Sequence, residues 1–425
     1  MNETPSSAPL ALETDMLKKF IQPFFSQRNY YLSLAQEHGS PLWILDSLVL
    51  KDKAQRFSQA FNAYFDQTSY YYAVKSNNHP QVASTLLESG FGLDVSSGIE
   101  LQTALNLNAG DIIFSGPGKT AEELTLAIQH RDRVTLLLDS FGELERLNAL
   151  VSGSDIASPI RVGIRLTTNP NGLWRKFGII PERLPDFWNK VKALPKIKFA
   201  GLQFHSSWNL TPDRQVEFIT LLGQTLKHMP QEFNNHIEFI DMGGGYWPEE
   251  GEWLHSPENP EGDSAKGAGR PETLVKPHYR IPGTPIEVFA ETLFDAAQSH
   301  LFPFVTCRIC FEPGRWICHS AMHLLLSVVD RKSHDLVITD AGTNTIGWER
   351  FETDYFPVLN LNRSGLLEKP CHILGSLCTP HDVFGYAYFG EDIREGDCLM
   401  IPCQGAYTYS LCQNFIKGLP GFVKI

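Results

Sequence analysis

Tyr70-Tyr71-Tyr72-Ala73-Val74-Lys75-Ser76-Asn77 is a short apolar, β-prone run that ends in one lysine and breaks at once into turn-forming polar residues. Read as a buried strand, it sets Lys75 at its C-terminal end, where desolvation disfavours an ammonium and leaves an amine able to attack a carbonyl. A lysine that simply leaves the strand for solvent is the plainer alternative. The surrounding pattern decides between them. Strand-like runs alternate with helical segments, the signature of repeated β-α units and a parallel sheet. The expected strands are Tyr70 to Val74, Gly92 to Val95, Ile112 to Ser115, Thr135 to Leu138, Arg161 to Arg165, Lys198 to Phe204, Ile237 to Asp241 and Cys307 to Glu312. Eight strands in about 240 residues fit an α/β fold of the (β/α)8 TIM-barrel type. Lys51 to Phe65, His79 to Ser89, Glu122 to Gln129 and Phe141 to Leu150 fill the gaps with apolar residues at helical spacing.

Outward from that core, Leu17 to Leu34 reads as one helix, followed by a strand at Leu42-Trp43-Ile44-Leu45-Asp46. Residues 1–46 are expected to pack with a C-terminal domain, and 47–316 to form the barrel. Between Trp247 and Pro285 lies a Pro-, Gly- and Glu-rich stretch too long for an ordinary connection, read as a lid or a disordered insertion. After Arg315 short strands alternate with turn signals (His323 to Asp330, Leu336 to Thr339, His372 to Gly375, Cys398 to Pro402). Residues 317–425 therefore read as an all-β barrel or sandwich domain.

Composition narrows the classes. A chain of 425 residues exceeds one core, and an apolar fraction of 42% is that of an ordinary globular protein. No run approaches the roughly 18 apolar residues of a membrane span. A formal charge of -12 without clustered Lys and Arg argues against nucleic acid as a partner. Met1 to Ala11 carry neither a basic region nor an apolar one, so no secretory signal is read and a cytoplasmic location is expected. The eight cysteines, all from Cys307 onward, do not form a disulfide framework. Cys307-x-x-Cys310 lacks a second ligand pair at zinc spacing, so no metal site is expected.

In a parallel barrel, chemistry belongs at the C-terminal strand ends, and polar residues recur there. They are Lys75; Asp94, Ser97 and Glu100; Arg165; His205-Ser206-Ser207; Gly243-Gly244-Gly245; and Glu312-Pro313-Gly314-Arg315. Singly, Asp94 could cap a helix, His205 could be a core histidine and the glycines could be a turn. Jointly they suit one cofactor. A Gly-rich loop with a nearby arginine takes a phosphate, a carboxylate takes a pyridinium N–H, an imidazole takes a flat ring face, and the lysine takes an aldehyde. That combination describes pyridoxal 5'-phosphate held as a Schiff base.

On these residues the chain resembles the fold-type III pyridoxal-phosphate enzymes of the diaminopimelate and ornithine decarboxylase group, with alanine racemase a more distant relative. The resemblance runs from about Pro41 to Pro420. Ala73-Val74-Lys75 looks like the family's Schiff-base lysine motif, Gly92-Leu93-Asp94-Val95 its second-strand motif, and Asp241-Met242-Gly243-Gly244-Gly245 its phosphate loop. In Glu312-Pro313-Gly314-Arg315, the most specific signature, the resemblance implies that Glu312 pairs with the pyridine nitrogen and Arg315 helps bind the phosphate. It gives His205 the ring-stacking role. Gly375-Ser376-Leu377-Cys378-Thr379-Pro380-His381-Asp382 matches the family's cysteine loop, and Gly405-Ala406-Tyr407 a tyrosine near the phosphate. In relatives that loop reaches into the partner's site, so the resemblance implies a head-to-tail homodimer with shared sites. It further implies decarboxylation of an amino acid, with Cys378 or Lys75 returning the proton. A carboxylate rather than an arginine at the ring nitrogen argues against a racemase, and the intact site argues against an enzyme-dead binding homologue.

Substrate recognition departs from the relatives. Diaminopimelate decarboxylases carry a glutamate after the cysteine and ornithine decarboxylases an aspartate; here the residue is Thr379. The arginine that diaminopimelate decarboxylases place after Asp-Ala-Gly is replaced within Asp340-Ala341-Gly342-Thr343-Asn344-Thr345-Ile346-Gly347-Trp348, where Trp348 stands instead. A distal ammonium or carboxylate would be buried without its partner, a cost of several kcal/mol. Asp340, Trp348, Thr379 and Asp382 are the expected substrate contacts. The family's His-Val-Gly-Ser becomes His205-Ser206-Ser207-Trp208, leaving open which serine meets the phosphate, with Ser207 the candidate carried forward. With Ser115-Gly116-Pro117-Gly118-Lys119-Thr120, these variants look most like decarboxylases of carboxylate-siderophore biosynthesis, which take an amino acid conjugated to citrate or a similar acid. A basic amino acid decarboxylase is the alternative.

Overall fold

The computed structural model describes residues 8–153, 155–256, 275–347 and 353–425. They form two compact units. One comprises Leu50–Trp247 with Thr284–Ile317; the other comprises the N-terminal residues through Val49, Pro248–Gly283 and Cys318–Ile425.

The first unit is a closed parallel barrel of eight strands: β1 (Thr68–Ala73), β2 (Gly92–Val95), β3 (Ile112–Phe114), β4 (Val134–Leu138), β5 (Ile160–Leu166), β6 (Ile197–Phe204), β7 (Phe239–Asp241) and β8 (Arg308–Phe311). Every expected strand is present, and β8 pairs with both β7 and β1 to close the ring. Tyr71, Ile113, Leu137, Ala200, Phe239 and Cys310 pack as a layer inside it. That layer needs Gly201, where a Cβ would lie 2.5 Å from the Phe239 carbonyl oxygen. Helix starts follow local chemistry: Ser97, Thr120 and Ser140 each accept a backbone N–H at a helix N-terminus, and Thr120 forms a full capping box with Glu123.

The second unit is built on β9 (Met322–Ser333), a long bulged strand with different partners along its length. Its outer part pairs with β10 (Leu336–Thr339) and its inner part with β14 (Cys398–Ile401). The sheet continues through β11 (Leu359–Asn360), β12 (Glu368–Leu374) and β13 (Val383–Phe389), so six strands close a second barrel. Leu42–Leu45 adds to β9 antiparallel and is flanked on its other edge, in parallel, by Gly421–Lys424.

Two expectations change. The single helix over 17–34 is two helices, Thr14–Ser26 and Arg28–His38, separated at Gln27. The break lets Leu17, Ile21 and Phe25 from one, and Tyr31 and Leu34 from the other, join the same core cluster. The segment read as an insertion in the barrel groups instead with the β unit: its strands Glu252–Leu254 and Tyr279–Ile281 pair with each other, and Tyr279–Ile281 also pairs with Leu10–Ala11. His278 reinforces this attachment by stacking on Tyr355, with ring centroids 3.5 Å apart, while its Nε2 lies 3.0 Å from Glu368. Residues 257–274 of that segment lie outside the described residues. Among the described residues, no helix is long and apolar enough to cross a membrane.

Candidate active site

The chain leaves β1 through a 3-10 turn, Val74–Ser76, that carries Lys75. This turn is locked to the loop after β8: Ala73 N–H donates to the Pro313 carbonyl at 3.1 Å, and a Cβ at Gly314 would fall 2.0 Å from Ser76 Oγ. Only glycine lets that loop cross so closely. Lys75 Nζ donates to Asp94 Oδ2 at 3.1 Å; the lysine side chain is one-third exposed and the carboxylate fully buried. The other oxygen of Asp94 accepts a short hydrogen bond from the Ser115 hydroxyl. Burial, and then the charge of Glu312, push the Asp94 carboxyl up, while Lys75 and Ser115 pull it down. Arg165 at the end of β5 donates to the Ser115 carbonyl at 3.2 Å and lies over the Phe177 ring at 4.6 Å.

Across the barrel, β6 ends in Gln203-Phe204-His205. His205 Nδ1 accepts the Gly244 N–H at 3.1 Å, so its ring proton sits on Nε2, which lies 3.3 Å from Ser207 Oγ and donates to it. Glu312 Oε2 is 3.8 Å from Nδ1, but that lone pair is already engaged, so no proton is shared there. Burial first, then Lys75 and Arg165, hold the imidazole well below its ordinary value, and it is neutral. A neutral ring suits a flat aromatic neighbour.

Gly243-Gly244-Gly245 cannot carry side chains. Gly243 and Gly245 sit at φ +67° and +83°, and a Cβ at Gly244 would lie 2.2 Å from the Glu312 carbonyl oxygen. Asn209 braces this turn, donating to the Ser206 and Gly244 carbonyls at 3.2 Å each. Glu312 N–H donates to the Gly243 carbonyl at 2.8 Å, and its buried carboxylate accepts from Gln203 Nε2 at 3.2 and 3.4 Å. Arg315 lies with its guanidinium 4.4 Å from the Trp247 ring.

Thus Lys75, Asp94, Arg165, His205, Ser207, Gly243, Gly244, Gly245, Glu312, Gly314 and Arg315 all stand at the C-terminal strand ends of the barrel unit. Asp340, Cys378, Thr379, Asp382 and Tyr407 belong to the β unit, and Trp348 lies outside the described residues. Cys378 is exposed. Asp340 accepts the Ser327 N–H at 2.9 Å. Tyr407 sits at φ +60°. Asp382, read above as a substrate contact, is buried with both oxygens committed to its own unit. Oδ1 accepts Thr343 N–H and Oγ1–H at 2.6 and 3.0 Å, and Oδ2 accepts Leu377 N–H at 2.7 Å. It shapes the cysteine loop. Sequence reasoning missed Gln203, Ser115 and Asn209. Gln203 had one signal, a polar residue inside an apolar strand two positions before His205 and so on the same face.

A lysine at a strand end, a glycine cradle that excludes every Cβ, and a neutral imidazole between buried carboxylates fit pyridoxal phosphate and define a barrel enzyme built around it. The chain belongs to the pyridoxal-dependent decarboxylases, whose pyridoxal binding domain matches residues 49–319. It is accordingly a pyridoxal-phosphate-dependent carboxy-lyase acting on an amino acid. A diaminopimelate decarboxylase of Methanothermobacter thermautotrophicus is 26% identical, covering 90% of this chain and 86% of its own. A 2-[(L-alanin-3-ylcarbamoyl)methyl]-2-hydroxybutanedioate decarboxylase of Staphylococcus aureus is 25% identical, covering 93% and 95%. The crystal structure of diaminopimelate decarboxylase from Helicobacter pylori complexed with L-lysine shares the fold. Its TM-score is 0.75 at 21% identity, with 93% of this chain and 94% of that one covered.

Proposed function

We propose that this decarboxylase acts on an amino acid joined by an amide to a citrate-like hydroxy acid, as in carboxylate-siderophore assembly. Thr379 carries the reading. The position after Cys378 bears no charge, whereas a free diamino acid brings a distal ammonium that burial would strand. The name of the Staphylococcus aureus relative describes such a substrate, a hydroxybutanedioate carrying an amide-linked alanine unit. A second reading, decarboxylation of free diaminopimelate, is favoured by the names of several other relatives, the Methanothermobacter enzyme among them.

When bound, pyridoxal phosphate supplies the electron sink that takes the bonding pair left by the departing carboxylate. Lys75 would hold the aldehyde and yield it to the substrate amine, with Asp94 accepting from its ammonium. His205 would cover one ring face, and Glu312 would bond the ring N–H and keep it protonated. Gly243, Gly244 and Gly245, with Ser207, Gly314, Arg315 and Tyr407, would take the phosphate, and Arg165 would support Asp94 through Ser115. Cys378 would return a proton to the substrate carbon. Asp340, Thr379 and Trp348 would face the substrate's distal end, with Asp382 acting through the loop it shapes. A head-to-tail homodimer in the cytoplasm completes the proposal. The β unit exposes Leu411, Phe415, Ile416 and Leu419, apolar surface of the kind partners cover.

Product masses decide the substrate. Incubated with citryl-conjugated diamino acids, free lysine and free diaminopimelate, the enzyme is expected to release CO2 fastest from a conjugate. Faster release from either free amino acid would overturn the reading.

A further inference from the structure

Three carboxylates converge in the barrel unit: Asp94, Asp241 and Glu312, each no more than 1% exposed. The donors that face two of them are accounted for. Asp94 takes the Ser115 hydroxyl and Lys75, and Glu312 takes two contacts from the Gln203 amide. Asp241 is different. Its Oδ1 accepts the Gly243 N–H at 2.8 Å, but Oδ2, equally buried, has no donor.

Asp241 pairs in register with Gln203 on β6 and with Cys310 on β8. Glu312 stands two residues past Cys310, the spacing that returns a side chain to the same face. Gln203, the register partner of Asp241, reaches the Glu312 carboxylate, so that Asp241 and Glu312 share one neighbourhood in the barrel. Two acceptors cannot bond each other without a proton, and two ionised carboxylates in contact out of water repel strongly. Gln203 Nε2 reaches both oxygens of Glu312, whereas Asp241 receives a single N–H, on Oδ1, and its Oδ2 is the oxygen left to carry a proton. We infer that Asp241 is a neutral carboxylic acid whose Oδ2–H hydrogen-bonds the Glu312 carboxylate, making Asp241 a positioning residue for Glu312.

Burial, and then the Glu312 charge, push the Asp241 carboxyl well above its ordinary value. The consequence is geometric. Through Oδ1 Asp241 fixes Gly243, through Oδ2 it fixes Glu312, and Glu312 N–H closes the ring on the Gly243 carbonyl at 2.8 Å. One side chain thereby sets the glycine cradle and the carboxylate read above as the ring-nitrogen partner. The positioning role rests on that reading of Glu312; the protonation of Asp241 does not.

Infrared spectroscopy tests the proton directly, with and without pyridoxal phosphate. At neutral pH the protein is expected to show a protonated-carboxyl C=O band that moves on ¹³C-aspartate labelling, stays on ¹³C-glutamate labelling and vanishes in Asp241→Asn. Absence of the band, its movement with glutamate, or its survival in Asp241→Asn overturns the inference. If Asp241→Asn does not fold, Asp94→Asn and Asp340→Asn decide: survival of the band in both assigns it to Asp241, and its loss in either assigns it there and overturns the inference. For the positioning role, the amide of Asp241→Asn replaces the O–H donor, so this variant is expected to keep the cofactor's visible band while Asp241→Ala shifts it. Identical bands in both variants and the wild type would refute positioning. Failure of the chain to take up the cofactor at all would refute the reading of Glu312 and leave the protonation result standing.

Discussion

Lys75 and His323 show how differently single residues advertise themselves. Lys75 was legible because a lone cation closes an apolar run, and the structure sets it 3.1 Å from a buried carboxylate. Lys75→Ala is expected to lower kcat by about 10³-fold or more and to abolish the cofactor's visible absorbance, with the fold unchanged by circular dichroism. His323, at the start of an ordinary strand pattern, gave no signal. Its Nδ1 accepts the Cys403 N–H at 3.1 Å, Phe24 and Tyr31 pack edge-on against it, and burial lowers its pKa to about 4. An imidazole neutral in the fold but free to charge near pH 6.5 when unfolded makes the unfolded chain bind more protons between those values. Its contribution therefore falls as pH drops through that window, by about 1.4 kcal/mol per pH unit. Buried acids such as Asp94 and Asp340, whose carboxyls burial pushes up, tilt stability the opposite way in the same range, so a difference isolates the histidine. His323→Asn keeps an acceptor for Cys403 and should lose less stability than the wild type between about pH 6.5 and pH 4.5 in denaturant titrations. Parallel profiles would refute this assignment.

At the scale of elements, the loop after β3 is held by a buried pair. Lys119 Nζ lies 2.8 Å from Glu143 and donates to the Leu137 carbonyl at 2.8 Å, and both side chains are only 1% exposed. Burial pushes the lysine down and the glutamate up against their mutual attraction, so the pair adds little net stability while its halves depend on each other. Lys119→Met should cost about 3–5 kcal/mol by stranding Glu143, and Lys119→Met with Glu143→Leu should recover most of that in the denaturation midpoint. The barrel strands were readable because each is a buried apolar run closed by polar punctuation. In the β unit the signal was weaker. Val383–Phe389 was not anticipated, since Gly385 interrupts it and its pairing with Glu368–Leu374 is bulged. The chemistry of Gln203 and Asp241 was hidden for a related reason: each acts through a neighbour on another strand, which register supplies and sequence order does not.

For the whole molecule, the proposed shared sites make a quantitative demand. Lys75→Ala and Cys378→Ala homodimers should each be nearly inactive, yet dissociation and random reassociation of the two should restore up to about a quarter of wild-type activity, because half the dimers then hold one intact site. Activity no greater than the sum of the separate variants would place each site within one chain. A different consequence concerns synthesis. All eight barrel strands lie between Thr68 and Phe311, so that barrel can close while the chain is still being made. Leu42-Trp43-Ile44-Leu45 cannot join its sheet so early: one edge waits for Met322–Leu325, and the other for Gly421–Lys424. Four apolar residues therefore keep both edges unpaired until residues 322–325 are made and one edge unpaired until residues 421–424 are made, which makes this strand the expected binding point for a chaperone on the nascent chain.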